Sequence, residues 1–178
     1  MKLTYLIFLF FAIIKQTVIA QVSLLDNLPT PKSVTIDQAL TKGESLELIQ
    51  TARLFYAFWN TGKEEYVRES VSENFIDNTL PAGRPQGLSG LLVASKKIRL
   101  AVPDLVCTID DMLIVRDKIT ARLTFTGHNT GSMNGHKPSG NAISFLAIDI
   151  LLIKDGKISE DWHIEDNLTF FRQIGIVQ

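Results

Sequence analysis

The ten residues ISEDWHIEDN, from Ile158 to Asn167, place one histidine among four carboxylates and beside a tryptophan. A carboxylate next to an imidazole can orient the ring and stabilise its protonated form, which is what a general base needs. The same residues on a solvated strand edge would be ordinary surface groups. The rest of the chain carries no standard nucleophile, metal or phosphate motif, so the search for chemistry begins here.

The stretch forms the second half of a predicted β-hairpin, FLAIDILLIKDGKISEDWHIED. The letters KDG favour a three-residue loop with glycine in the left-handed conformation. That loop pairs Ile153 with Lys157 and places Asp149 opposite Asp161. The acids and the histidine then share one face of the hairpin, separate from the aliphatic side chains.

A two-residue turn is the alternative, and it would put Asp149 opposite Trp162 and mix acids with aliphatics on both faces. We prefer the three-residue loop because it separates the two kinds of side chain. One face then carries Leu146, Ile148, Ile150, Leu152, Ile158, Trp162 and Ile164. The other carries Phe145, Ala147, Asp149, Leu151, Asp161, His163 and Glu165.

Asp149 interrupts the apolar run FLAIDILLI. A buried carboxylate needs a partner to offset the loss of its hydration. Asp161 and His163 would lie within reach on the facing strand, since opposed and diagonal strand residues are neighbours. The pattern therefore suggests His163 as a base that is supported by Asp149. A solvated sheet face remains the alternative reading of the same spacing.

The elements that must position these residues are helical first and extended later. An amphipathic helix is predicted over residues 44–62, a short one over 63–71 and a third from Leu88 to Ala101. From Leu105 onward the sequence pattern predicts antiparallel strands, followed by a short terminal helix over 168–175. This order predicts an α+β fold, with a curved, mostly antiparallel sheet wrapped around the N-terminal helices and a cone-shaped cavity between them.

The N-terminal twenty residues have a basic start, a short apolar core and small residues before Gln21. They are typical of a signal peptide cleaved after Ala20, which predicts an exported protein, periplasmic or secreted. An uncleaved anchor is the alternative, although the apolar run is too short to span a bilayer. Residues 21–43 are interpreted as a linker and residues 44–178 as the domain.

Charge and cysteine content narrow the function classes. After removal of residues 1–20 the chain has 16 basic and 19 acidic side chains, a formal net charge of −3 without a basic cluster, so nucleic-acid binding is not expected. Cys107 is the single cysteine and lies in an apolar run, which predicts a packed thiol. The three histidines, His128, His136 and His163, lack ligand spacing, so no metal site is expected.

Several ordered segments resemble the SnoaL-like polyketide cyclases, often called ester cyclases, of the nuclear transport factor 2-like superfamily. They are ARLFYAFWNTGKEEYVRESVSENFIDNTLPAGRPQGLSGL, ARLTFTGHNTG and DILLIKDGKISEDWHIEDNL. The likeness covers roughly Glu47 to Gly175. It implies a cone-shaped α+β barrel that binds a small, apolar, carbonyl-containing ligand and uses no metal or organic cofactor.

The resemblance also implies a reaction. The founding members close a ring by an intramolecular aldol reaction, in which an acidic side chain on the last long strand removes a proton from carbon flanked by carbonyls. Here His163 stands where the family commonly has an aspartate, with Asp149 as its partner on the neighbouring strand. The expected catalytic residues are therefore His163 and Asp149, and the expected substrate contacts are Asn78, Asp161, Asp166, Trp59 and Phe145.

Two functions remain open from the sequence. The first is a cofactor-free cyclase, isomerase or related enzyme that acts on a small carbonyl compound. The second is an exported, non-catalytic module of the same fold that binds a small ligand or dimerises. A homodimer is expected in either case, with the face of Ile148, Ile150, Trp162 and Ile164 as its contact surface. No stable membrane association is expected once the signal peptide is removed.

Overall fold

The computed structural model describes residues 25–26 and 28–178. The expected signal peptide and the first part of the expected linker lie outside this range. Within it, no helix combines the length and the apolar character that crossing a membrane requires.

In the described chain, two strands and three helices come first. The four longest strands follow, and a short helix ends the chain. The helices are α1 (Lys42–Thr61), α2 (Glu64–Ser70), α3 (Leu88–Ala101) and α4 (Asn167–Gln173). The strands are β1 (Val34–Ile36), β2 (Val71–Asp77), β3 (Val106–Val115), β4 (Lys118–His128), β5 (Ala142–Lys154) and β6 (Lys157–Glu165).

The strands form one open, curved sheet in the order β1-β3-β4-β5-β6-β2. The pairs β3–β4, β4–β5 and β5–β6 are antiparallel, whereas the two outer strands β1 and β2 run parallel to their neighbours. The helices pack against the concave side. The predicted α+β architecture is thereby confirmed.

Helix α1 is the longest helix of the described chain, and both of its ends follow from the sequence. Thr41 caps its N-terminus, since the backbone N–H of Glu44 donates to the Thr41 hydroxyl and the Glu44 carboxylate accepts from the backbone N–H of Thr41. At the other end Gly62 adopts the left-handed conformation, with φ of 72°, and donates to the carbonyl of Phe58.

The described part of the expected linker belongs to the folded domain. Residues Val34–Ile36 form β1 and pair with β3 at Met112, Leu113 and Ile114. Leu28 is buried, and the carbonyls of Leu28 and Pro29 accept hydrogen bonds from Arg53 of α1. Three residues carry too little periodicity to predict a strand, so this pairing was not visible in the sequence.

The β5–β6 hairpin differs from the preferred prediction. Lys154 pairs with Lys157, so the turn consists of Asp155 and Gly156, both with positive φ, as in a type I′ turn. The prediction that Ile153 pairs with Lys157 and Asp149 with Asp161 is therefore wrong.

A bulge next to the turn shifts the pairing of β5 with β6 by one further residue. Ile153 pairs with Ile158 but Leu152 pairs with Glu160, which leaves Ser159 as an extra residue in β6. Asp149 consequently lies opposite His163 and not opposite Trp162. Ile158 is fully buried and belongs to the concave side, in contrast to its predicted place among the outward residues.

The separation of the two faces is otherwise as predicted. Along β5, Phe145, Ala147, Asp149 and Leu151 are buried, and the residues between them are exposed or half-buried. The buried side packs against α1, whose Phe55, Tyr56 and Phe58 are fully buried. The concave face of β5 and β6 therefore meets aromatic side chains, and it is here that the polar residues collect.

Candidate active site

Strand β2 brings a further carboxylate to the concave face of the hairpin. It runs parallel to β6, with Asp77 paired to Asp161, and both side chains are buried. Across β6, Asp149 of β5 faces His163. Because neighbouring residues on one face of a sheet are in contact range, these four side chains gather in one place. Glu165, two residues after His163 in β6, contacts its imidazole. We refer to the four residues and Glu165 as the His163 cluster.

The imidazole of His163 is held at both nitrogens. Its Nδ1 lies 2.8 Å from Oε1 of Glu165, and its Nε2 lies 3.2 Å from Oδ2 of Asp77. The backbone N–H of His163 donates to the Thr79 hydroxyl at 2.9 Å. The side chain is only 9% exposed. The ring therefore has one orientation, set by two carboxylates on different strands.

Arg84 closes the cluster from the loop of residues 78–87. Its guanidinium forms an ion pair with Asp77, and its Nη2 lies 3.0 Å from Nε2 of His163. The side-chain amide of Gln86 connects the loop to β2. Its oxygen accepts from the backbone N–H of Asp77 at 2.8 Å, and its nitrogen donates to the Asp77 carbonyl at 3.0 Å. The cation is thus positioned by backbone contacts as well as by charge.

The surroundings of His163 favour its charged form. Burial acts to lower the pKa of this imidazole, but the hydrogen bond and charge of Glu165, the charge of Asp161 and the hydrogen bond of Asp77 outweigh it. The pKa of His163 is raised to about 9. The raised pKa favours a ring with a proton on both nitrogens at neutral pH, which donates to Glu165 and Asp77. In that form the 3.0 Å approach of Arg84 Nη2 to Nε2 joins two donors, and the carboxylate of Asp77 lies against both of them.

The two carboxylates that contact His163 remain ionised. Burial acts to raise the pKa of Glu165 and of Asp77, and for each the hydrogen bond and charge of His163 outweigh burial and hold the pKa below its ordinary value. Arg84 contributes to the lowering at both positions.

Asp149 and Asp161 behave in the opposite way. Burial raises the pKa of Asp149 to about 7, although the positive charge of His163 acts against the shift. Burial and the charge of Asp149 raise the pKa of Asp161 well above its ordinary value, which favours its neutral acid form. One face of the sheet therefore carries carboxyl groups of both kinds, ionised around the imidazole and readily protonated beneath it.

Tyr56 of α1 covers the two deeper carboxyl groups. Its hydroxyl is fully buried beside Asp149 and Asp161, and burial together with their charges raises its pKa well above the ordinary value. The phenol therefore stays protonated and available as a donor.

Unsatisfied polar atoms concentrate at this place. In the described residues, five buried side-chain polar atoms have no hydrogen-bond partner of good geometry, and three of them are Tyr56 Oη, Arg84 Nε and Asp161 Oδ1. Leaving such an atom unpaired costs about 1–3 kcal/mol. Unpaired donors next to a titrating carboxylate are what a site for a ligand oxygen would provide.

The predicted site residues fall into two groups. His163, Asp149 and Asp161 meet in the cluster, and Phe145 lies on the same face, stacked on Phe125 with ring centroids 5.2 Å apart. Trp59 of α1 is half-buried and contacts Phe125 edge to face. Phe145 and Trp59 are thus connected through one aromatic cluster beside the polar residues.

The structure does not bring Asn78 and Asp166 to the cluster. Asn78 is exposed, and its side-chain amide donates to Glu160 at 3.1 Å on the outer side of the sheet. Asp166 is exposed and caps α4, where it accepts from the backbone N–H of Thr169 at 3.0 Å.

The remaining candidates have local roles. His128 is exposed and lies 2.7 Å from Oδ2 of Asp104, and His136 lies in the exposed loop after β4. Cys107 is buried, as predicted, and burial raises its thiol pKa well above the ordinary value. Within the described residues no group of three or more His, Cys, Asp or Glu side chains has an arrangement suited to a metal ion.

Two surface grooves lie away from the cluster. One, of about 300 Å³, runs between β2 and the β5–β6 turn and includes Ile76 and Lys154. The other, of about 490 Å³, lies between α1, α2 and α3 and includes Leu92 and Arg99. Neither groove contains a residue of the His163 cluster.

Sequence reasoning placed Glu165 on the face of His163 without assigning it a role, and it did not identify Arg84, Tyr56 or Asp77 as site residues. Tyr56 falls in an aromatic stripe that looks like ordinary core, and Arg84 lies in a loop with no periodicity. The position of Asp77 at the end of a strand was the one available signal. It becomes informative only when β2 is known to pair with β6, a contact between residues more than eighty positions apart.

The curved sheet wrapped around α1, with polar groups on its concave face, is the nuclear transport factor 2-like fold. A sequence model of the SnoaL-like polyketide cyclases matches residues 49–174. The chain therefore belongs to the SnoaL-like polyketide cyclase family.

Solved structures share the fold, and one of them is described as a polyketide cyclase. A proposed polyketide cyclase from Bacillus cereus ATCC 10987 is 50% identical, with 86% of this chain and 97% of that chain covered and a TM-score of 0.79. TsrD from Streptomyces laurentii is 29% identical, with 78% and 99% covered and a TM-score of 0.67.

A third structure shares the fold at lower identity. IdmH, a proposed polyketide cyclase from Streptomyces antibioticus, is 24% identical, with 72% and 98% covered and a TM-score of 0.64. Among curated protein sequences, no match is found.

Proposed function

We propose that the protein is a cyclase-type enzyme that works by acid/base chemistry without a metal or organic cofactor. It removes a proton from a carbon flanked by carbonyl groups and joins that carbon to a further carbonyl of the same molecule. The proposed substrate is a small, largely apolar, polyketide-like ester. The family of the chain supports this more than it supports a non-catalytic binding module.

The observation that carries the proposal is the pairing of Asp149 with His163. The two residues are directly opposite on β5 and β6 and share the buried face. The pKa of Asp149 is raised to about 7 and that of His163 to about 9. At and above neutral pH a carboxyl group with a pKa of about 7 can be ionised while an imidazole with a pKa of about 9 stays protonated, so the two can act as base and acid in the same reaction.

The roles are the reverse of those expected from the sequence. His163 is protonated at neutral pH, so the proposed base is Asp149, and its carboxylate receives the proton from the substrate carbon. His163 then serves as the acid. It gives a proton to the oxygen of the carbonyl that is attacked, and between turnovers Asp149 loses a proton and His163 regains one.

The enolate that forms at the first carbonyl needs hydrogen-bond donors. The Tyr56 hydroxyl and the carboxyl group of Asp161 are buried next to Asp149. Asp161 Oδ1 has no hydrogen-bond partner, and the phenol lies close enough to Asp149 for a hydrogen bond between them to shift both pKa values, although its geometry is poor. A neutral carboxylic acid and a phenol can donate to an enolate oxygen in a dry site, where such donors are most effective. The aromatic cluster of Trp59, Phe125 and Phe145 would hold the apolar part of the substrate.

The proposal is tested with methyl 3,7-dioxooctanoate, a β-keto ester with a second ketone four carbons beyond the first. In D₂O, ¹H NMR follows both the exchange of the C2 protons and the appearance of the six-membered ring. We expect exchange above the buffer rate, with a loss of about 10²–10⁴-fold in Asp149→Asn. Asp117→Asn, at an exposed turn, is the matched control. Equal exchange in wild type and Asp149→Asn would refute the proposed base and leave the binding module as the better account.

We also propose that the protein is exported. The support is the basic, apolar and small-residue pattern of residues 1–20. Mass spectrometry of the protein isolated from cells decides the matter. A mature N-terminus at Gln21 is expected, and an intact N-terminus would favour the anchor alternative.

A homodimer is proposed through the outer face of the sheet. Leu146, Ile150 and Ile164 are exposed there, although large apolar side chains are normally covered when they cluster. Light scattering of wild type and Ile164→Lys should show a dimer that the substitution converts to a monomer.

A further inference from the structure

Arg84 has donor groups that the folded protein does not use. Its guanidinium pairs with Asp77 through Nη2, whereas its Nε is buried and has no hydrogen-bond partner. An arginine presents its donors in a rigid planar fork, so a group held at one side leaves the other side fixed in direction.

The position of Arg84 places it one group outward from the proposed base. Asp149 is 6% exposed and the Arg84 side chain 15% exposed. His163 lies between them, opposite Asp149 in the sheet and 3.0 Å from Nη2 of Arg84. Arg84, His163 and Asp149 thus follow one another from the loop of residues 78–87 to β6 and β5.

Ring closure creates charge on two oxygen atoms, one after the other. The first is the enolate oxygen, for which Tyr56 and Asp161 provide donors. The second is the oxygen of the attacked carbonyl, where negative charge develops as the new carbon–carbon bond forms. A fixed donor aimed at that oxygen stabilises the transition state of the second step only.

We propose that Arg84 is a further catalytic residue, whose Nε–H donates to the carbonyl oxygen that is attacked during ring closure. This inference rests on the proposed function and extends it to the second step.

The step balances without any further reactant. In the probe, the C2–H bond breaks and its proton goes to Asp149. The C2–C7 bond forms, and the π electrons of the C7 carbonyl move to its oxygen. That oxygen is held by Arg84 and takes a proton from His163.

The probe separates the two steps, and the test is made at pH 8, above the pKa of Asp149. Arg84→Lys keeps a positive charge for the ion pair with Asp77 but removes the Nε–H, and Arg84→Gln removes both. We expect C2 exchange within about twofold of wild type in Arg84→Lys and ring closure lowered by about 10²-fold or more in both variants. Arg68→Lys, at an exposed arginine of α2, is the control and should change neither rate.

A binding measurement keeps the inference testable if a variant folds poorly. In wild type, the NMR signal of the Arg84 Nε–H should shift saturably as the probe is added. The Nε–H of Arg99 is an internal control, because that nitrogen is also buried without a partner but borders the groove between α1 and α3. No shift of Arg84, or equal shifts of both signals, would overturn the inference.

The failure of this inference is distinct from the failure of the proposed function. Ring closure at the wild-type rate in Arg84→Lys, with exchange still dependent on Asp149, refutes Arg84 alone. A parallel loss of exchange and closure in Arg84→Lys also refutes it, because the residue would then act on the base. Exchange that does not depend on Asp149 refutes the proposed function, whatever Arg84 does.

Discussion

Asp149 and His163 lie opposite each other because one residue, Ser159, is unpaired in β6. The type I′ turn alone would set Asp149 against Trp162, which points to the other side of the sheet. The bulge adds one residue between the turn and the histidine, and a shift of one residue moves every side chain of a strand to the opposite face. The acid–imidazole pair therefore depends on a local irregularity of the hairpin.

Glu165 should control the protonation of His163. Its carboxylate contacts Nδ1 at 2.8 Å. Among the groups that raise the pKa of the ring to about 9, it makes the largest contribution. We expect Glu165→Gln to lower the pKa of His163, measured by NMR titration of the ring protons. Glu160→Gln, on the outer side of the same strand, is the control. An unchanged pKa in Glu165→Gln would contradict the assigned cause.

Asp149 should lower the stability of the protein at neutral and basic pH. A carboxyl group whose pKa rises from 3.8 to about 7 on folding favours the folded state only while it is protonated. Between about pH 4 and 7 this carboxyl group is ionised in the unfolded state but still protonated in the folded state. The free energy of unfolding therefore falls as the pH rises through this range.

We therefore expect Asp149→Asn to be more stable than wild type, by a margin that grows between about pH 4 and 7 and is constant above it. Urea unfolding across this range measures the margin, with Asp117→Asn as the reference. A margin that stays flat across the range would mean that Asp149 titrates normally in the folded protein.

The two steps of the proposed reaction should differ in their pH dependence. Exchange at C2 requires the carboxylate of Asp149, so its rate should rise through about pH 7 and then level off. Ring closure also requires a proton on His163, so its rate should fall again above about pH 9. NMR rates from pH 5 to 10 give both curves. Identical curves for the two steps would contradict the acid role of His163.

Gly90 should be necessary for the placement of the loop that carries Arg84. A Cβ at this position of α3 would lie 2.1 Å from the carbonyl oxygen of Pro85. Gly90→Ala should therefore displace the loop, destabilise the protein by about 1–3 kcal/mol, and slow ring closure more than exchange.

Gly43→Ala is the matched control for Gly90→Ala, because Gly43 also lies in the first turn of a helix but has no atom closer than 4.0 Å to the added carbon. It should be neutral or stabilising, since alanine favours helix over glycine. Thermal unfolding and the two NMR rates test both variants. Equal stability of the two would show that the close contact to Pro85 is easily relieved.

Much of the fold could be predicted from the sequence because it depends on local periodicity. The capping residues Thr41 and Glu44 and the terminal Gly62 mark the ends of α1, and the alternation along β5 marks its buried face. The family likeness was likewise visible in ordered segments such as DILLIKDGKISEDWHIEDNL. These features need only neighbouring residues to be recognised.

The hairpin register and β1 could not be derived in the same way. The sequence allowed a two-residue or a three-residue turn, and the bulge at Ser159 belongs to neither. A three-residue strand such as Val34–Ile36 has no pattern of its own and is formed by its pairing with β3.

The sequence by itself determined the α+β class, the family and the shared face of Asp161 and His163, whereas the position of Asp149 opposite His163 depended on the bulge at Ser159. Only the tertiary structure decided which groups surround the imidazole. Asp77, Arg84 and Tyr56 come from β2, a loop and α1, far from His163 in the chain, and reach it through the β2–β6 pairing and the packing of α1. The protonation of Asp149 and His163 was decided there as well, because burial and neighbouring charges set a pKa, and both are properties of the folded chain.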